Sequence, residues 1–251
     1  MATTKKLSAT PALSSIGSEF IIVTDSNGKT SRVSLANLRT SLLRGAAIND
    51  IYDNVFIACH RKSDNAQLAW RPESWASQQS AGEVADGVLI VEGGHLLLVA
   101  PTDGGDSGLL WSSAAVLGGG VTSSSRAVAQ ADWAGKSNTA AQITHAECQG
   151  ESYAPGFCAA YSRANANGKG VLAGSWWLPS LAELWMIYAN FHKVNYALSL
   201  ITGATQLPSA AHWSSTEYSA TSAWILYFLY GRQDGNAKAS LRHRVRPVSA
   251  W

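Results

Sequence analysis

The stretch His212–Trp251 reads HWSSTEYSATSAWILYFLYGRQDGNAKASLRHRVRPVSAW. Its frame is Trp213-Ser214-Ser215-Thr216-Glu217, then Ala223-Trp224, then Arg244-Val245-Arg246-Pro247-Val248. Between these points sits a mixed set: Ile225, Tyr227, Leu229, Tyr230, Ala237, Ala239, Ser240, Leu241 and His243, with His212, Tyr218 and Ser222 as less firmly placed members. A regular frame with arbitrary contents suggests a surface built to be varied, which points to binding rather than catalysis.

Strand periodicity divides these residues. In Trp224–Tyr230 alternate side chains face opposite sides. Trp224, Leu226 and Phe228 point one way and form a core face; Ile225, Tyr227 and Leu229 point the other way and form a contact face. A segment apolar on both faces also reads as a fully buried strand. The alternative is an exposed apolar patch of the kind that marks interaction sites. Strands are expected over residues 223–231 and 237–248, with Asp234-Gly235 as the hairpin turn between them. Ala237, Ala239, Leu241 and His243 repeat the period of two, and Ser240 marks a bend. His243 has no second histidine or carboxylate at ligand spacing, so it reads as a contact residue.

Upstream, Ser180 is followed three residues later by Glu183, a capping box opening a helix. Leu181, Leu184, Trp185 and Tyr188 then form one apolar stripe. Residues 88–91 and 95–100 flank Glu92-Gly93-Gly94 and predict a hairpin. Near the start, Phe20–Val23, a turn at Ser26-Asn27-Gly28, and Thr30–Val33 predict a smaller hairpin. A short helix capped by Ser34 follows, with Leu35, Leu38 and Leu42 on one face. The organisation expected is therefore a docking or oligomerisation module over residues 1–50, a connector over 51–81, and a main domain over 82–251. The fold class expected is α+β and rich in loops.

Composition narrows function. The 251 residues carry 14% charged side chains and a net charge of +2, which predicts no nucleic-acid partner. The run Arg242, Arg244, Arg246 reads as a structural strand edge. No stretch is long and apolar enough to predict membrane insertion, and MATTKKLSATPALSS lacks the apolar run of a signal peptide. Synthesis in the cytoplasm is expected. Three cysteines, Cys59, Cys148 and Cys158, match neither a disulfide framework nor a zinc site, though Cys148 and Cys158 could pair. Asp103 and Asp106 fall short of a calcium loop and read as a turn. No metal, cofactor or catalytic constellation is expected, so the chain reads as a non-enzyme.

Trp176-Trp177-Leu178-Pro179-Ser180-Leu181-Ala182-Glu183-Leu184, Trp213–Glu217, Ala223-Trp224 and Arg244–Val248 together resemble the variable proteins of diversity-generating retroelements. These have a C-type-lectin fold of the formylglycine-generating-enzyme type. His95–Ala100, Trp133–Thr139 and Tyr153–Tyr161 stand in the order that family shows, so the resemblance covers about residues 82–251. It implies that adenines in a template copy are mutated during reverse transcription, so that Asn codons become other residues while the frame persists. It further implies a receptor-binding protein of a phage or prophage tail, located in the virion or else at the cell surface. Its partner would be a protein or glycan ligand on a cell surface, and a homo-oligomer (a trimer) or a tail component would assemble through the first module. An undiversified surface adhesin of the same fold is the alternative. A formylglycine-generating oxidase is disfavoured, because that chemistry uses reactive cysteines late in the domain and none follows Cys158.

Overall fold

The computed structural model describes the backbone of Phe20–Thr24 and Thr30–Ser34, and residues 54–251 apart from 166. The chain falls into two units, Met1–Ile51 and Tyr52–Trp251. In the first, β1 (Phe20–Thr24) pairs antiparallel with β2 (Thr30–Ser34), as expected. The turn at residues 26–28 and the helix expected from Ser34 onward lie outside the described residues.

The second unit is mixed α+β. Its strands are β3 (Asn54–His60), β4 (Gln67–Trp70), β5 (Gly87–Glu92), β6 (His95–Val99), β7 (Arg163–Ala164), β8 (Gly170–Val171), β9 (Trp176–Trp177), β10 (Ala211–Glu217), β11 (Ser222–Tyr227), β12 (Arg232–Ala237) and β13 (Val248–Ser249). Its helices are α1 (Trp75–Ser80), α2 (Arg126–Gln130), α3 (Gly135–Gln142), α4 (Ala154–Ala160), α5 (Leu181–Ala189) and α6 (Phe191–Ser199). A six-stranded sheet runs β4-β3-β5-β6-β13-β9, and a second sheet runs β10-β11-β12.

The expected connector over 51–81 is corrected. It supplies β3, β4 and α1, and the compact unit begins at Tyr52 instead of near Gly82. The reason is burial: Val55, Ile57 and Cys59 alternate into the main core, and Trp75 has no exposed surface. The β5–β6 hairpin forms as predicted, with Glu92 opposite His95 and both turn glycines at positive φ. The α5 capping box is also present, with the Ser180 side chain accepting from Glu183 N and the Glu183 carboxylate accepting from Ser180 N.

Two clusters of buried residues form the interior. The larger joins the six-stranded sheet to α5, α6 and β11, through Ile57, Val88, Ile90, Leu184, Ile187 and Leu226 among others. The smaller gathers Trp111, Cys148, Cys158, Leu178, Trp213, Ile225 and Val245. Strand β11 contributes to both: Trp224 and Leu226 enter the larger, Ala223 and Ile225 the smaller. The three cysteines are free and buried, so Cys148 and Cys158 do not pair.

Candidate ligand-binding surface

The frame residues of the closing stretch are fixed from within. The indole N–H of Trp213 donates to Leu109 O at 2.8 Å, and that of Trp224 to Ser123 O at 2.8 Å. Thr216 donates to Asp132 at 2.7 Å and accepts from Leu181 N at 2.9 Å, tying β10 to the start of α5. Asp132 also accepts from Asn138 at 2.9 Å, which brings in the Trp133–Thr139 stretch. Glu217 accepts from Gly118 N and ion-pairs with Lys238. Arg246 is 1% exposed and donates to Ala100 O and Thr205 O, each at 3.0 Å. Arg244 pairs with Asp106 at 2.9 Å. Arg244 and Arg246 therefore clamp the Asp103–Asp106 turn, which is structural as expected, but Arg242, Arg244 and Arg246 lie outside the strands and are not the strand edge expected.

The hairpin differs from the one expected. Strand β12 occupies Arg232–Ala237, so Asp234-Gly235 lies in mid-strand opposite Ile225 and Trp224. The chain reverses at Phe228–Gly231, where Gly231 N donates to Tyr227 O at 2.9 Å and Gly231 takes φ +60°. Gly235 serves close approach instead of turning: a Cβ there would stand 2.7 Å from the Tyr218 ring.

This register sorts the candidate contact residues. Directly paired residues share a face. Ala211, Tyr227 and Arg232 pair, as do Trp213, Ile225 and Asp234, and Ala223 with Asn236. Ile225 was expected to face solvent; it is fully buried, because Trp111, Trp213 and Val245 cover it. Tyr227, at the edge of that cover, is half-buried. His212 is also fully buried, stacked on Phe228 at 4.1 Å, and burial pulls its pKa down to about 3. Ser222 and Ala237 pair with each other on the opposite face, beside Trp224 and Gly235. Tyr218 packs edge-on against Trp224 at 5.0 Å and keeps 37% exposure.

The remaining members lie at the two ends of the hairpin. Leu229 and Tyr230 occupy the β11–β12 turn, 54% and 73% exposed. Ala239, Ser240 and Leu241 are exposed on the loop after β12. Six residues of strand separate these ends by roughly 20 Å. His243 returns towards the middle of the face: its Nε2 accepts from the Asn236 amide at 2.8 Å, and its ring meets the Trp213 edge at 4.6 Å. Burial lowers its pKa to about 4, so it is neutral near pH 7.

Tyr227, Arg232, Asp234 and Asn236 thus share by pairing the side of the sheet that bears Ile225, with His243 bonded to Asn236; Arg232 is exposed and the other four are half-buried beside the cluster that covers Ile225 and Trp213. Arg232 and Asp234 form an exposed ion pair at 2.6 Å. Arg232, Asp234 and Asn236 were missed from sequence because the Asp-Gly pair placed them in a turn. Among the described residues no group of three or more His, Cys, Asp or Glu could hold a metal ion. No helix among them is long and apolar enough to cross a membrane.

No protein-family model matches the chain, and no curated protein matches it. A solved structure with partial similarity is that of a fimbrial protein from Bacteroides ovatus ATCC 8483, 12% identical, with a TM-score of 0.42. The alignment covers 93% of this chain and 49% of the fimbrial chain, so the chain spans about half the length of that protein.

Proposed function

We propose that Tyr52–Trp251 is a C-type-lectin-like domain of the formylglycine-generating-enzyme type that binds a cell-surface protein or glycan through β11, β12 and the loop to His243. In this reading it is the variable protein of a diversity-generating retroelement, carried on a phage or prophage tail, and not an enzyme. One observation carries the reading. Frame and contents of the last forty residues separate by burial: Trp213–Glu217, Trp224, Arg246 and Val248 are buried, while Leu229, Tyr230, Ala239, Ser240 and Leu241 are exposed. Ile225 and His212 are fully buried and join the frame, while Ser222, Tyr227, Ala237 and His243 are half-buried. Side chains that can change without disturbing the core suit a surface whose ligand changes. Tyr227 and Tyr230 suit the same role, since tyrosine offers large contact area at low entropy cost.

The test has two arms. The DNA flanking the coding sequence is read for a reverse transcriptase and a near-identical repeat of the codons for residues 212–251, with differences at adenines. Fluorescently labelled full chain is also applied to a panel of bacterial cells and counted by flow cytometry, beside the folded triple variant Tyr227→Ala, Arg232→Ala, His243→Ala. Loss of staining in the variant is expected. Equal staining by the variant overturns the binding surface, and absence of the repeat overturns diversification.

A further inference from the structure

A concave site lies between the β5–β6 turn, α2 and α5, beside Gln233 of β12. It is an open cleft of about 580 Å³ whose lining includes Glu92, His95, Gln130, Trp133, Trp185 and Met186. Trp133 belongs to the Trp133–Thr139 stretch, yet its role differs from that of its neighbours. Gly135, Asn138 and Thr139 are buried within the frame, whereas Trp133 keeps 42% of its surface in solvent. The His95 ring stacks on Trp133 at 3.8 Å with an interplanar angle of 8°, which holds an exposed indole in place. Trp185 is fixed as well, because its N–H donates to Gln233 at 2.9 Å.

The polar side chains of this cleft are Glu92, His95 and Gln130. Gln233 takes a hydrogen bond from one amide N–H of Gln130 at 2.7 Å, and the Gln130 carbonyl is an acceptor. One oxygen of Glu92 accepts from Asn190 and the other is not needed for that bond. Among the described residues no Lys or Arg lines the cleft, and Glu92 is its carboxylate. Aromatic faces, a thioether, one carboxylate and no Lys or Arg among the described lining residues complement a cation, since indole faces attract ammonium groups and do so most strongly when partly desolvated. We propose that this cleft binds an organic ammonium group, such as a choline head group or a lysine side chain, with Trp133 and Trp185 as the aromatic walls and Glu92 as counter-ion.

The experiment titrates choline chloride into the full chain and follows the indole N–H signals by NMR, with sodium chloride at equal ionic strength and methyl α-D-glucopyranoside as controls. Saturable shifts of the Trp133 and Trp185 signals with choline alone are expected. Glu92→Gln, which keeps an acceptor for Asn190, is expected to weaken choline binding about tenfold. Trp133→Ala should abolish the Trp185 shift. No saturable shift, a response matched by sodium chloride, or unchanged affinity in Glu92→Gln overturns the proposal. A response to the glucoside alone overturns it too, and makes Trp133 a sugar-stacking platform.

Discussion

Lys238 and Glu217 form an ion pair in which neither side chain has any exposed surface. Lys238 Nζ also donates to Val116 O at 2.7 Å and lies 4.2 Å from the centre of the Trp111 ring. Glu217 accepts from the backbone of Gly118 and Gly120. The pair therefore joins the end of β10 to the residue directly after β12. It anchors the chain between Ala237 and Ala239, so the exposed loop that follows starts from a fixed point.

Removing one partner leaves the other charge buried. Burial already lowers the Lys238 pKa, and the hydrogen bond to Glu217 opposes that shift. Lys238→Met is expected to cost about 3–5 kcal/mol in guanidinium denaturation, and adding Glu217→Gln should recover part of it. A loss below about 1 kcal/mol for Lys238→Met would show that the pair does not hold this junction.

The two readings of β11 are separated by paired truncations. Ile225→Ala is expected to cost about 2–5 kcal/mol, because it opens a cavity beneath Trp111 and Trp213. Tyr230→Ala and Leu229→Ala, on the exposed turn, should stay within about 0.5 kcal/mol of the parent. Comparable losses at Ile225 and Tyr230 would return the turn to the core.

Local signals were legible in the sequence and layered ones were not. Ser180 and Glu183 announce α5 because a capping box is complete within four residues. Val88–Val91 and the paired glycines announce β5 and β6 for the same reason. Ile225 misleads because its cover comes from Trp111, Cys148 and Val245, which are distant in sequence. Period two says that Ile225 opposes Trp224, but it cannot say that a second cluster lies on that side. Asp234-Gly235 misleads because a glycine needed for ring contact looks like a glycine needed for a turn. That error hid Arg232, Asp234 and Asn236. Within 51–81, β4 and α1 were missed because the Trp70–Trp75 stretch interrupts the apolar pattern.

Two buried titrating groups should give opposite pH dependences. Burial raises the Glu183 pKa to about 7 from 4.5, outweighing its bonds to Ser180 and Trp177. The unfolded chain then loses this proton first, so the Glu183 contribution to stability falls as pH rises from 4.5 to 7. Burial lowers His212 to about 3 from 6.5, so the unfolded chain gains this proton first, and stability falls as pH drops from 6.5 to 3. Between pH 4.5 and 6.5 the two slopes oppose each other, each at most about 1.4 kcal/mol per pH unit. Relative to the parent, Glu183→Gln should therefore gain stability as pH rises through this window. His212→Phe, which retains the ring contact with Phe228, should lose it. Melting curves across the window check both signs, and parallel curves for all three proteins would refute the assignment.

The position of the hairpin turn can be tested by the two glycines. Gly231 has φ +60°, and a Cβ there would come within 2.8 Å of the Tyr188 ring. A left-handed alanine costs about 1–2 kcal/mol before any clash, so Gly231→Ala should lose at least that much. Gly235 has no positive φ, and the atoms nearest to a Cβ there belong to the Tyr218 ring. In a Tyr218→Ala background, Gly235→Ala should therefore fall within about 0.5 kcal/mol of neutral, while Gly231→Ala keeps its full cost. The reverse outcome, a costly Gly235→Ala and a neutral Gly231→Ala, would move the turn back to Asp234-Gly235. It would also take Arg232 and Asp234 off the proposed surface, since their place beside Tyr227 depends on this register.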